Sequence, residues 1–294
     1  MTKSTRPLGK LQISRALEMM MEFDPYGFFP ETTPADWAAH KEWLQPLGMN
    51  PANGMLLFPC QSYIVRTSHH TILVDSCVGN HKDRPTRPAW HQKTDTSYLD
   101  ALKQHSLSPE DIDYVMCTHM HSDHIGWNTQ LKDGRWVPTF PNARYLFSEK
   151  ELRAWQTMEQ KNFSLQPIQD SVLPVIAAGQ AELIQNDFSL DDEVWVQSTP
   201  GHTPDHLAIN LASNGEHAIM LGDMVHSPVQ CQHPDWTVRA DWNHKIASAT
   251  RRTMMEQLTE AQTLVLTAHF PLPSAGWFRR DGQAFRFEYD QHPW

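Results

Sequence analysis

The feature that most constrains this chain is a six-residue run, His119-Met120-His121-Ser122-Asp123-His124. It directly follows a short, mostly apolar stretch, Ile112-Asp113-Tyr114-Val115-Met116-Cys117-Thr118, that reads as a strand. Four of the six residues carry side chains that ligate metals, and such a run has few structural reasons to adjoin a strand. In an extended or tightly turning segment, side chains alternate with period two. His119 and His121 therefore point the same way and can grip one ion. Asp123 and His124 lie just past the turn, in reach of a second.

The pattern recurs three times. Val194–Thr199 reads as a strand running to Pro200-Gly201-His202, Ala218–Leu221 as one running to Gly222-Asp223, and Thr263–Ala268 as one ending at His269. Open α/β sheets place their sites at the carboxyl ends of strands, so these ends predict one site. His202 is expected to join His119 and His121 on the first ion, and His269 to join Asp123 and His124 on the second. Asp223, the only acid that ends one of the later strands, is the candidate bridge. Imidazole and carboxylate ligands suit a borderline cation, so two divalent ions, Zn2+ first among them, are expected. Each keeps an open position for a shared water. Asp123 is also the candidate catalytic group, holding or passing a proton. Asp75 and His206 are candidates to fix imidazole tautomers.

The remaining pattern is strands at 55–58, 62–66, 71–75, 143–147 and 206–211, with helices at 95–104, 148–160 and 244–259. Without a repeat or a low-complexity linker, this reads as one α/β domain over 51–294 behind an extension, 1–50, of helix and loop. In that extension Thr33 is placed to cap a helix opening at Pro34. The extension, with Phe23, Tyr26, Phe28 and Phe29, is expected to cover the site or meet a partner subunit. The four cysteines form no CxxC pair and read as buried thiols. A formal net charge of −10 disfavours a nucleic-acid partner. No run approaches the roughly 18 apolar residues of a membrane span. Arg15, Glu18 and Glu22 interrupt any secretory core, so the cytoplasm is the expected compartment. The expected partner is a small-molecule substrate, and a homodimer is compatible.

Thr118-His119-Met120-His121-Ser122-Asp123-His124 resembles the signature of the metallo-β-lactamase superfamily. Val74–Asn80, Thr199–Pro204, Leu221-Gly222-Asp223 and Ala268-His269-Phe270-Pro271 resemble its other motifs. The resemblance runs from about Leu56 to Phe287 and implies an αββα sandwich of two mixed β-sheets flanked by helices. Gly79–Lys82, Gly222–Gln230 and His269–Pro273 look most like quorum-quenching lactonases and methyl-parathion-hydrolase-like enzymes. The implied activity is hydrolysis of a lactone or ester by a metal-bridging hydroxide, with phosphotriester cleavage as a side activity. The alternatives are a diiron oxygen-dependent oxidoreductase and a non-catalytic metal-binding module. Within the superfamily His121 argues for a hydrolase, and the retained ligand set argues against a non-catalytic module. No counterpart is evident for the tyrosine that assists acyl-homoserine lactonases. Phe270 and Trp277 are expected to shape an aromatic pocket.

Overall fold

Ile72-Leu73-Val74, Val115-Met116 and Tyr145-Leu146-Phe147 are buried throughout. Near-continuous apolar runs are how parallel strands covered on both faces read in a sequence. The computed structural model, which describes residues 5–158 and 166–292, places them side by side. The strands in chain order are β1 (Arg6–Leu8), β2 (Leu11–Phe23), β3 (Leu56–Arg66), β4 (Thr71–Val74), β5 (Tyr114–Met116), β6 (Thr129–Lys132), β7 (Arg135–Pro138), β8 (Arg144–Ser148) and β9 (Ala181–Ile184). All but the β6–β7 hairpin form one sheet, in the order β1-β2-β3-β4-β5-β8-β9. Its β4, β5, β8 and β9 are parallel and its β3 is antiparallel to β4, so the sheet is mixed.

A second sheet runs β10 (Val194–Ser198), β11 (Leu207–Ser213), β12 (Glu216–Met220), β13 (Leu264–Leu266), β14 (Ala275–Asp281) and β15 (Ala284–Tyr289). It is antiparallel except at β12–β13. That parallel step needs a crossover, supplied by the helix His244–Ala261. Asn243 caps the helix by accepting the Ile246 N–H at 3.1 Å. Met254, Met255 and Leu258 on its inner face pack with Ile219, Val265, Phe278 and Phe285. Burial of each such side chain is worth roughly 1.5–3 kcal/mol.

The described residues sort into two compact units. The first runs up to Met19 and from Cys60 to Phe188. The second comprises Met20–Pro59 and Ser189–His292.

Two expectations need correcting. Residues 6–23 are strand rather than helix or loop, with Leu11, Ile13 and Ala16 buried. The period-two signal is masked by Met19-Met20-Met21 and by Glu18, an acid that faces inward at 5% exposure. Second, 55–58 and 62–66 are one strand, β3, which continues through Pro59. The helix expected at 33–34 forms, with the Asp36 carboxylate accepting the Thr33 N–H at 2.7 Å. Of the helix expected at 148–160, Glu149–Met158 is helical and the remainder lies outside the described residues. All four cysteines are free and buried.

Candidate metal centre

In the first unit Val74 pairs with Met116 in parallel register, so Asp75 and the Thr118-His119 pair leave the sheet at the same edge. Asp75, at φ 60, accepts the Thr118 N–H and hydroxyl, each at 2.8 Å, and the His124 Nδ1–H at 2.8 Å. These bonds decide two tautomers. The single hydroxyl proton of Thr118 goes to the carboxylate, which can only accept. His119 Nδ1, 3.0 Å from that hydroxyl oxygen, must then carry a proton itself. His119 and His124 both present Nε2 as a bare lone pair. His119 Nε2 lies 3.0 Å from His121 Nδ1, and the His119 and His124 rings are 4.1 Å apart. Asp123 Oδ2 is 3.8 Å from His124 Nε2. The His121 ring rests edge-on against Trp155, whose indole N–H donates to the buried Glu151. The first unit thus gathers His119, His121, Asp123 and His124.

A backbone lock holds this loop. Gly126 N–H donates to Cys77 O at 2.7 Å, Trp127 N–H to Ser76 O at 2.8 Å, and Ser76 N–H to His124 O at 2.7 Å. A Cβ on Gly126 would sit 1.8 Å from Val78 O, so only glycine fits.

In the second unit β12 and β13 are parallel with Met220 opposite Leu266. Asp223 and His269 follow those partners at equal offsets and meet, His269 Nε2 lying 3.0 Å from Asp223 Oδ1. The turn after β10 delivers His202 to the same edge, its Nε2 3.3 Å from Asp223 Oδ2. Again the tautomers are set from behind. His202 Nδ1 is 2.8 Å from Asp241 Oδ1, and His269 Nδ1 is 2.9 Å from Pro59 O. Both acceptors require Nδ1–H, leaving both Nε2 atoms bare.

A bare nitrogen facing a carboxylate at about 3 Å sets lone pair against lone pair, an arrangement that needs a positive centre. Burial opposes charging of His202, yet the bonds to Asp223 and Asp241 outweigh it and hold this imidazole at about 9. Without a cation, then, His202 carries a second proton on Nε2, in the place a bound ion would take. In each unit two histidines bond through Nδ1–H and leave Nε2 as the free ligand atom, the arrangement that metal-ligating imidazoles adopt. The donor set of imidazoles and carboxylates fits divalent zinc.

Asp75 takes the tautomer-fixing position the sequence suggested. His206 does something else: its Nε2 accepts the Asp223 backbone N–H at 3.0 Å. Sequence reasoning missed Asp241, which also accepts the Val238 N–H at 3.0 Å and lies 3.7 Å from Arg251. Burial would raise the Asp241 carboxyl, but His202 and Arg251 hold it below the usual range. Its one sequence signal is an acid two residues before the helix cap Asn243. His226 was also missed; its Nε2 is 3.1 Å from Asp223 Oδ2, and burial pushes it down to about 4 despite that carboxylate. Phe270 is fully buried in the core against Phe287. The extension supplies the aromatics instead: Phe28 sets its edge on His226 at 5.3 Å and packs on Phe58, which lies 5.9 Å from His269.

The chain matches the metallo-beta-lactamase superfamily model over residues 55–267. It is 22% identical over 233 residues to an N-acyl homoserine lactonase of Bacillus cereus, covering 75% of this chain and 84% of that one. To an N-acyl homoserine lactonase of a Bacillus species it is 23% identical over 179 residues, 57% of this chain and 64% of that relative. Among solved structures, AbOPH, a hydrolase of the β-lactamase superfamily, superposes with a TM-score of 0.81 at 22% identity, covering 98% of this chain and 97% of that one. AidC, described as a dizinc quorum-quenching lactonase, gives 0.78 at 22% identity with the same coverage. The fold is that of these proteins, with mixed β-sheets and flanking helices. No helix among the described residues is long and apolar enough to cross a membrane.

Proposed function

This chain belongs to the metallo-β-lactamase superfamily and is a metal-dependent hydrolase, and from that premise we propose that it cleaves a lactone or ester at a binuclear centre. The observations that carry the reading are the Nε2 lone pairs left without a proton on His119 and His124 in the first unit and on His202 and His269 in the second. Each is held by a hydrogen bond on the far side of its ring.

In this reading His119, His121 and His202 would hold one ion and Asp123, His124 and His269 the other, with Asp223 as the shared ligand. When bound, two such ions supply the Lewis acidity that lowers the pKa of water from about 15.7 toward roughly 7 and polarises the electrophilic oxygen. The chain supplies orientation and proton handling. Asp75, Thr118, Asp241 and the Pro59 carbonyl keep the imidazoles in the ligating tautomer. Asp123 holds or passes the proton released by the attacking water. Phe23, Phe28 and Phe58, mutually packed at 4.9–5.4 Å, support an apolar substituent on the substrate. The lactonase relatives support a lactone as first choice, with phosphotriester cleavage as a side activity. Exposed Trp43, Leu47 and Trp242 support pairing with a second copy.

The test is metal analysis of the purified protein beside lactone, aryl ester, phosphotriester, thioester and β-lactam substrates. Two ions per chain and turnover of lactone or ester are expected. Oxygen consumption with iron and no hydrolysis overturns the reaction class.

A further inference from the structure

His226 is a buried imidazole that the proposed reaction leaves without a role. It lies in the second unit, 2% exposed, with its ring 4.8 Å from that of His202 and stacked at 15° and 5.8 Å on that of His269. It is braced from behind. Its backbone N–H donates to Gln230 Oε1 at 2.7 Å, and Gln230 Nε2 donates to Trp236 O at 2.9 Å. Its own Nε2 meets Asp223 Oδ2 at 3.1 Å. What sets it apart from His202 and His269 is the other nitrogen. Nδ1 is buried and has no hydrogen-bond partner among the described residues.

That difference reverses the tautomer. A proton on Nδ1 would bury an unsatisfied donor and turn a second lone pair onto Asp223 Oδ2. A proton on Nε2 makes a charge-assisted bond to a carboxylate and leaves only a bare acceptor, the cheaper of the two states. His202 and His269 face Asp223 as acceptors, so His226 faces it as a donor. The carboxylate then has Oδ1 turned to His269, and Oδ2 shared between His202 and the His226 N–H.

We propose that His226 is a positioning residue that fixes the rotation of the Asp223 carboxylate through an Nε2–H bond to Oδ2, and is not itself a metal ligand. The proposal rests on the bridging role read for Asp223. By holding one lone pair, His226 sets which remaining directions of the carboxylate are open to cations.

The zinc-loaded protein tests this without a variant. Long-range 15N–1H correlation is expected to show His226 as the Nε2–H tautomer; an Nδ1–H pattern overturns the assignment. Three substitutions add a functional reading in the Co(II)-loaded protein. His226→Gln keeps a donor and is expected to retain two ions, the visible absorption bands and kcat within about threefold. His226→Phe is expected to retain two ions but shift the bands and lower kcat by about 10–100-fold, the usual effect of losing a partner behind a ligand. Its KM should move little. If His226→Phe does not accumulate, His226→Met puts the same question with a flexible apolar chain. Unchanged bands and kcat in the apolar variants sink the proposal, and so does loss of an ion in both His226→Gln and His226→Phe, which would make His226 a ligand. Failure of the parent reading is separate: Asp223→Ala would then keep both ions and the wild-type bands.

Discussion

Glu18 in the first unit and Asp223 in the second are both buried carboxylates, 5% and 4% exposed, and both are crowded by other polar groups. What surrounds them is opposite in kind. Glu18 accepts from Lys93 Nζ at 2.7 Å, Trp127 Nε1 at 2.8 Å and the Val78 N–H at 2.7 Å, with Cys60 Sγ 4.0 Å away. Every near neighbour is a donor and one is a cation, so the acid is complete as it stands. Asp223 is faced by three imidazoles, two of which have their protons bound elsewhere. Burial and a cluster of polar neighbours therefore do not mark a functional acid. The direction of the protons does.

The same distinction separates two histidine pairs. His40 Nε2 and His233 Nε2 approach to 2.9 Å, much as His119 and His121 do. But His40 Nδ1 accepts the Trp43 indole N–H at 3.3 Å, so His40 carries its proton on Nε2 and donates it to His233. That pair needs no ion.

The comparison can be broken at several points. The largest effect is expected at Asp223→Ala, which should empty or scramble the centre and cut turnover by roughly a thousandfold or more, several kcal/mol of barrier. Metal analysis and kcat check the loss. Glu18→Ala is the mirror experiment. It leaves Lys93 with Asp95 as its remaining carboxylate, strands the Trp127 and Val78 N–H donors, and should cost about 3–5 kcal/mol in urea unfolding. Two ions per folded chain should remain, and loss of metal at unchanged stability would reverse the assignment. Asp241→Asn frees the His202 tautomer and should lower activity or metal affinity by about 10–100-fold, measured by kcat/KM and chelator competition. Equal activity would mean that the Nδ1 partner is dispensable.

The smallest effect concerns pH. Burial lowers both His40 and His233 below the ordinary imidazole value. The unfolded chain then binds protons first, so their contribution is flat above about pH 6.5 and stability is lost as pH falls below it. The melting temperature should decline over that acid range, and His233→Asn should flatten the decline. An identical pH profile in the variant removes the pair from the account.

The ligand-type residues were legible because the code is local. A strand ending in His or Asp names both the residue and its place on the sheet edge, and the equal offsets of Asp223 and His269 from paired strand residues follow from parallel register. Of the residues behind them Asp75 was legible, and the others were not. Asp241 reaches His202 across 39 positions, and Pro59 reaches His269 across 210 with a carbonyl that any residue would own. Glu18 disguised a strand, since an inward acid looks like an outward one until Lys93, 75 positions on, is seen beside it.

The contact of Gly126 with the Val78 carbonyl has a consequence for heritable change. A segment closed so tightly that not one methyl group can be added has no neighbouring variants to explore, so drift in the first-unit ligand loop is barred at this point. The aromatic segment Asp24–Phe29 carries no such backbone bar, since the three atoms nearest a Cβ on its one glycine, Gly27, all belong to the Asp24 side chain. A descendant of this chain recruited to a new compound would accumulate its differences there, around an inherited and immovable chemistry.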